Sequence, residues 1–157
     1  MSAAAIENPD AACVRWARSR AEVLGAFAVR ERVFCGEQGV AVAEELDGRD
    51  DEARHVVALA PGGELVIGTL RLLVAGEHAK VGRVAVDREW RRRGIASRML
   101  VLALAGARER GCTGARLAAQ VAATELYRQV GFTVESDTFE EAGIAHVWMG
   151  MTLAPAG

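Results

Sequence analysis

Apolar residues recur at two different periods along this chain, and each change of period marks an element. Over 19–34, "SRAEVLGAFAVRERVF", Val23, Phe27, Val29, Val33 and Phe34 fall close to helical spacing, and Ser19 is placed to cap the start. Over 94–111, Ile95, Met99 and Leu102, with Leu100 and Leu104, line adjoining faces of a second helix that Gly111 stops. A third helix, 122–130, ends at Gly131. Between the first two helices the pattern is that of strands: "HVVALA" (55–60), the turn "PGG", "ELVIGTLRLL" (64–73), a turn near Gly76, then "AKVGRVAV" (79–86). Three strands joined by short turns predict an antiparallel meander. "ACVRW" (12–16) predicts a short first strand, "ARLAA" (115–119) a buried one, and "FTVES" (132–136) with "AHVWMGM" (145–151) a closing hairpin. Residues 1–11 read as a loose arm. Residues 35–53, acidic and without a period, read as a loop holding one short turn of helix. No repeat or linker interrupts this order, so one α+β domain over 1–157 is expected.

Composition narrows the classes. The chain has 157 residues, 51% hydrophobic and 25% charged, as an ordinary soluble domain does. A net charge of −2 argues against a nucleic-acid surface, so any affinity for an anion has to be local. Cys13, Cys35 and Cys112 are isolated, odd in number and form no C-x-x-C pair; reduced thiols are expected, with no metal site. Residues 1–20 carry Glu7, Asp10 and several arginines where a signal peptide needs an apolar core. No apolar run is long enough to span a membrane. The expected location is cytoplasmic, with neither nucleic acid nor membrane as partner.

One stretch carries charge in an unfavourable place. In "DREWRRRGIASRML" (87–100), Arg88, Arg91, Arg92 and Arg93 crowd the start of a helix, where the backbone is already partly positive. Unpaired N–H groups, a glycine that admits a close ligand and several guanidinium groups together suit a phosphate or pyrophosphate. A solvated basic turn is the competing reading. Neither G-x-x-x-x-G-K-[ST] nor G-x-G-x-x-G after a strand is present. Without an anion, the loop 88–93 is expected to repel itself.

The spacing Arg91-x-x-Gly94-x-Ala96 after "VAV" resembles the [Q/R]-x-x-G-x-[G/A] signature of the GNAT superfamily, the acyl-CoA-dependent N-acetyltransferases. "QVAATELYRQVGF" (120–132) is similar to that superfamily's second signature, with Ala123, Leu126, Tyr127, Gly131 and Phe132 in matching positions. "VFCGEQGVAVAEELDGRDDEARH" (33–55) and "EEAGIAHVWM" (140–149) resemble the ElaA-like branch. The matching motifs span residues 20–151.

This resemblance implies a mixed sheet with helices on both faces, splayed between the fourth and fifth strands, here 80–86 and 115–119. It implies acetyl-CoA as co-substrate, its pantetheine arm beside Val84, Ala85 and Val86, and the Val86 N–H as oxyanion donor. Arg91, Arg92, Arg93, Gly94, Ile95, Ala96 and Ser97 would receive the pyrophosphate, with Arg93 reaching a phosphate. Tyr127, the only tyrosine, would be the general acid that protonates the departing thiolate. Gln120 stands where the superfamily has Asn, and would hydrogen-bond toward cofactor or substrate.

The implied reaction is acetyl transfer to a small-molecule or peptide amine by direct attack, in a monomer or homodimer. The alternative is a catalytically silent module that binds acyl-CoA. Candidates for the base are Glu44, Glu45, Asp47, His55 and His146; Glu45 and Asp47 match the E-x-D of the branch that the chain resembles, with Glu45 the candidate base, and Glu45, Asp47, His55 and His146 are the candidate acceptor contacts. The acidic run 44–52 also reads simply as a solvated loop, or as an attractor of cationic amines.

Overall fold

The protein is described here by a computed structural model covering residues 11–155. The arm expected over 1–11 lies, except for Ala11, outside the described residues. The chain runs β1 (Cys13–Trp16), α1 (Arg20–Arg30), α2 (Val42–Glu45), β2 (Arg54–Leu59), β3 (Val66–Ala75), β4 (His78–Val86), α3 (Ile95–Glu109), β5 (Gly114–Gln120), α4 (Thr124–Val130), β6 (Thr133–Val134), β7 (Phe139–Glu141) and β8 (Ile144–Thr152). One sheet has the order β1-β2-β3-β4-β5-β8-β6, and β7 also pairs with β8. The meander β2-β3-β4 is antiparallel as expected, and β4–β5 is its parallel step.

The helices α1 and α3 pack on opposite faces of the sheet. The buried stripe of α3, including Met99, Leu100 and Leu104, packs with Val56, Leu70, Val81, Leu117 and Met149 on one side of the sheet. On the other side Ala26, Val29 and Val33 meet Val57, Leu59, Val66 and Ala85. At about 25 cal/mol per Å², each fully buried large aliphatic side chain in these layers is worth about 1.5–3 kcal/mol. Ser19 caps α1, its hydroxyl accepting from the Glu22 N–H at 3.2 Å.

Two expected boundaries change. The first helix keeps α geometry only to Arg30 and continues as a π-helix over Glu31–Glu37. The wider turn carries Glu37 and Gln38 over the sheet. Apolar spacing does not signal such a stretch, because Val33 and Phe34 fit either winding. The closing hairpin becomes three strands: β8 pairs with β5 on one side and with the short β6 and β7 on the other.

Candidate active site

The site begins with a defect in β4. Thr69 pairs with Ala85 but Arg71 pairs with Gly82, so Arg83 and Val84 together oppose Leu70. Arg83 takes φ 53°, the left-handed conformation that absorbs the extra residue. Beside it the parallel pairing of β4 with β5 stops. His78–Lys80 pair with Gly114–Arg116, and beyond them the strands part. The edge of β4 from Val81 to Val86 is thus left without a strand neighbour on the β5 side.

Strand alternation says which groups this edge presents. The Asp87 N–H donates to the Ile67 carbonyl at 2.8 Å, which makes Val86 and Gly68 a non-hydrogen-bonded pair. The N–H and C=O of Val86 therefore point away from β3, toward the gap. The Val86 carbonyl accepts from Arg91 Nε at 2.9 Å. A cleft of about 1040 Å³ fills the gap, lined among others by Val84, Ala85, Val86, the helix start from Gly94 to Ser97, Gln120 and Tyr127.

The helix start is built on Gly94, whose φ of 75° turns the chain into α3 with no side-chain cap. A Cβ there would meet no atom within 4 Å, so the demand for glycine comes from the backbone angle, not from crowding. The first N–H groups of α3 remain available at the cleft wall. The repulsion expected among the arginines is partly offset. Glu37, delivered by the π-helix, pairs with Arg88 at 3.2 Å and with Arg91. Arg93 lies over the Trp90 ring at 4.7 Å, donates to the Glu89 carbonyl and does not line the cleft. Arg92, at φ 62°, lines the cleft and has no ion-pair or hydrogen-bond partner among the described residues.

Tyr127 sits where α4 meets the cleft, with its ring edge-on to Phe132 at 6.3 Å. Burial pushes its phenol up to about 12, and its hydroxyl bonds to no other described residue. Gln120, at the end of β5, exchanges amide hydrogen bonds with Gln38 at 2.8 and 3.4 Å. Glu37 and Gln38 lay within the "VFCGEQ" motif, but sequence reasoning gave them no role. Only the π-helix places them across the cleft.

Three members of the acidic run are tied to buried arginines, while Glu44, Asp51 and Glu52 are exposed. Arg30, 1% exposed, donates to Glu45 at 2.5 Å and to both oxygens of Asp50 at 2.7 and 3.1 Å. Arg71 holds both oxygens of Asp47 and reaches Asp50 at 3.1 Å. Arg83 donates to the Glu45 carbonyl at 3.0 Å and lies 3.4 Å from the carboxylates of Glu45 and Asp47. The hydrogen bonds from Arg71 hold the Asp47 carboxyl well below the usual carboxylate range. Burial raises that of Asp50, but the bonds and charges of Arg30 and Arg71 outweigh it and leave it lowered. Glu45 and Asp47 line the cleft with their carboxylates already bonded.

The two candidate histidines separate. His55 does not line the cleft: it is buried edge-on to Phe27, with Nε2–H donating to the Asp50 carbonyl at 3.1 Å. Of the candidate acceptor contacts, His55 is the one the structure places away from the cleft, because β2 turns this side chain under α1. His146 does line the cleft, opposite Gln120 in the β5–β8 register. Glu44 lines it too, with no ion pair among the described residues. The described residues hold no group of three or more His, Cys, Asp or Glu placed for a metal, and no helix long and apolar enough to cross a membrane.

Comparison with known proteins bears on this geometry. The acetyltransferase (GNAT) domain family matches residues 19–153. The uncharacterised N-acetyltransferase YjcF of Bacillus subtilis is 32% identical over 134 residues, covering 85% of this chain and 94% of its own. A crystal structure from Lactobacillus plantarum superposes with TM-score 0.82 at 30% identity, over 92% of this chain and 99% of that one. Escherichia coli ElaA superposes with TM-score 0.76 over 88% and 99%; at 21% identity that is a likeness of fold.

Proposed function

This chain belongs to the acetyltransferase (GNAT) family and is an acyltransferase, and from that premise we propose that it transfers an acetyl group from acetyl-CoA to a primary amine by direct attack. The observation that carries this reading is the parting of β4 from β5 beyond Lys80 and Arg116, which leaves the Val86 N–H unclaimed at a cleft that Tyr127 also lines. Acetyl-CoA supplies an activated acyl group as its thioester.

The residues fit such a donor. The strand edge 84–86 offers peptide groups for an extended chain to bond. The amides after Gly94 and the free guanidinium of Arg92 suit a pyrophosphate. The Val86 N–H is the donor for a carbonyl oxygen that gains negative charge, a role worth about 10²–10³ in turnover for one well-placed N–H. Tyr127 keeps its proton across the working range, as an acid must, and gives it to the departing sulfur. Cys35 and Cys112 have thiols that burial pushes up, away from the thiolate an acyl-enzyme would need.

Calorimetry with acetyl-CoA, followed by thiol release over polyamines, aminoglycosides, amino acids and peptides, tests the reading. Binding with release on at least one amine supports it. Binding without release on any of them replaces it with a silent acyl-CoA-binding module, and absence of binding removes both.

A further inference from the structure

We infer that His146, oriented by the Ile144 carbonyl and backed by Glu141, is the base that takes the proton from the attacking amine; this rests on the acetyl transfer proposed above. Acetyl transfer needs a proton acceptor, and the sequence left five candidates. Glu45 and Asp47 are bonded to Arg30, Arg71 and Arg83. His55 is outside the cleft. Glu44 lines it, but no described side chain orients its carboxylate. His146 is different on three counts.

First, its protonation pattern is fixed by geometry. His146 Nδ1 lies 2.7 Å from the Ile144 carbonyl oxygen. A carbonyl only accepts, so Nδ1 carries the ring hydrogen, and in the neutral ring Nε2 is the nitrogen with the lone pair. His55 has the opposite arrangement, since its Nε2 is the atom that donates, to the Asp50 carbonyl.

Second, the ring is packed. It stacks on Phe139 at 5.9 Å with an interplanar angle of 23°, and Phe139 stacks in turn on Trp148 at 5.7 Å. Third, a proton gained at Nε2 has a partner. Glu141 Oε2 is 3.8 Å away and becomes the counter-ion of the imidazolium. Of the other charged groups on this face, Lys80 and Arg116 lie over the Trp148 ring, and Glu141 is the only carboxylate within ion-pair distance of His146 among the described residues.

The step balances. As the amine nitrogen bonds to the thioester carbon, its surplus proton passes to His146 Nε2. The C–S bond breaks, its electron pair leaves with sulfur, and sulfur takes the proton of Tyr127. Exchange with solvent then returns both side chains to their starting states.

The test has an arm that needs no substrate. The chain has three histidines, so imidazole ¹⁵N spectra of the wild-type protein can be assigned by single substitution. His146 is expected to show protonated Nδ1 and bare Nε2, and His55 the reverse. The second arm is kinetic, with acetyl-CoA and the best amine of the panel. His146→Asn keeps a donor for the Ile144 carbonyl, and is expected to lower kcat/KM about 10²–10³-fold and remove the acid limb of the pH profile, with acetyl-CoA affinity unchanged. Glu141→Gln, at an exposed side chain, is expected to lower kcat about tenfold at unchanged Tm. A His146 ring protonated on Nε2, an acid limb that survives His146→Asn, or full turnover in Glu141→Gln overturns the proposal. The spectra are independent of whether any amine is acetylated, so their failure is separable from that of the transferase reading.

Discussion

Arg91 Nε donates to the carbonyl oxygen of Val86 at 2.9 Å, so the arginine of the family signature fastens the strand whose N–H faces the cleft. Its outer nitrogen meets Glu37, which also holds Arg88. Four cations at a helix start looked unfavourable because only their charge was visible. Two of them share one carboxylate, a third rests on Trp90, and Arg92 alone is uncommitted among the described residues. Glu37 removes about one of the four positive charges from the opposition between cation and helix dipole.

That division separates two substitutions. Arg92→Ala removes a long-range attraction, and should weaken acetyl-CoA binding about tenfold at low salt and progressively less as the Debye length falls below ~10 Å. Arg91→Ala loosens a backbone carbonyl, and should weaken binding by an amount that salt barely changes. Calorimetry at two ionic strengths checks both. Parallel salt slopes would show that the two arginines share one role.

Gly94 is needed for its φ of 75°. Gly94→Val should destabilise the protein by about 1–2 kcal/mol, because a β-branched residue is strained in that region, and should abolish acetyl-CoA binding at any salt. Gly94→Asn should recover part of both, since Asn visits left-handed geometry more readily and its Cβ meets nothing within 4 Å. Thermal melts and calorimetry on the pair decide; equal losses would point to crowding by the ligand instead of backbone strain.

Much of this was legible before the fold was seen. Apolar periods located the helices and most strands because each buries a single face, and the order strand, basic loop, glycine, helix is the order the structure has at the cleft wall. Three things stayed hidden for physical reasons. The bulge at Arg83–Val84 depends on β3–β4 register, and register is a property of two strands. The π-helix follows an apolar stripe that does not distinguish it from α, so Glu37 and Gln38 carried no readable role. Arg30 sits on the buried face of α1, where sequence pattern anticipates apolar residues; its acidic partners lie 15 and 20 positions away, and a charged run next to no visible partner reads as surface.

Tyr127 gives a pH signature. Burial pushes its phenol up to about 12, against an ordinary value near 10. The buried neutral form therefore contributes stability that is complete below pH ~10 and is lost as the pH rises from there through ~12. Tyr127→Phe should flatten that alkaline loss in a urea-melt series. It should also lower kcat by about 10²-fold while leaving the acetyl-CoA Kd within twofold. The wild-type rate should show no alkaline fall from this phenol up to pH ~10. Unchanged kcat in Tyr127→Phe with a good acceptor would remove the general-acid assignment.

Glu45 separates a structural carboxylate from a catalytic one. Its oxygen is bonded to Arg30, which is 1% exposed and has Asp50 as its other partner. Removing one side of a buried pair is a loss of about 3–5 kcal/mol when the remaining charge is left alone. Arg30 still has Asp50, so Glu45→Ala should lose less than that. Glu45→Gln should lose less still, because its amide oxygen still accepts from Arg30 Nε. Both should keep the acid limb of the pH–rate profile, whereas a base at Glu45 would take that limb with it. Acid stability gives an independent check on the same network. Asp47 and Asp50 have folded-state carboxyls lowered by Arg71 and Arg30, so their contribution is complete above the usual carboxylate range near pH ~4 and is lost as the pH falls below it. Asp47→Asn should therefore lower Tm at pH 7 but shrink the further drop between pH 5 and 3. A Glu45→Gln protein with native Tm and a missing acid limb would reverse the assignment and make Glu45 the proton acceptor.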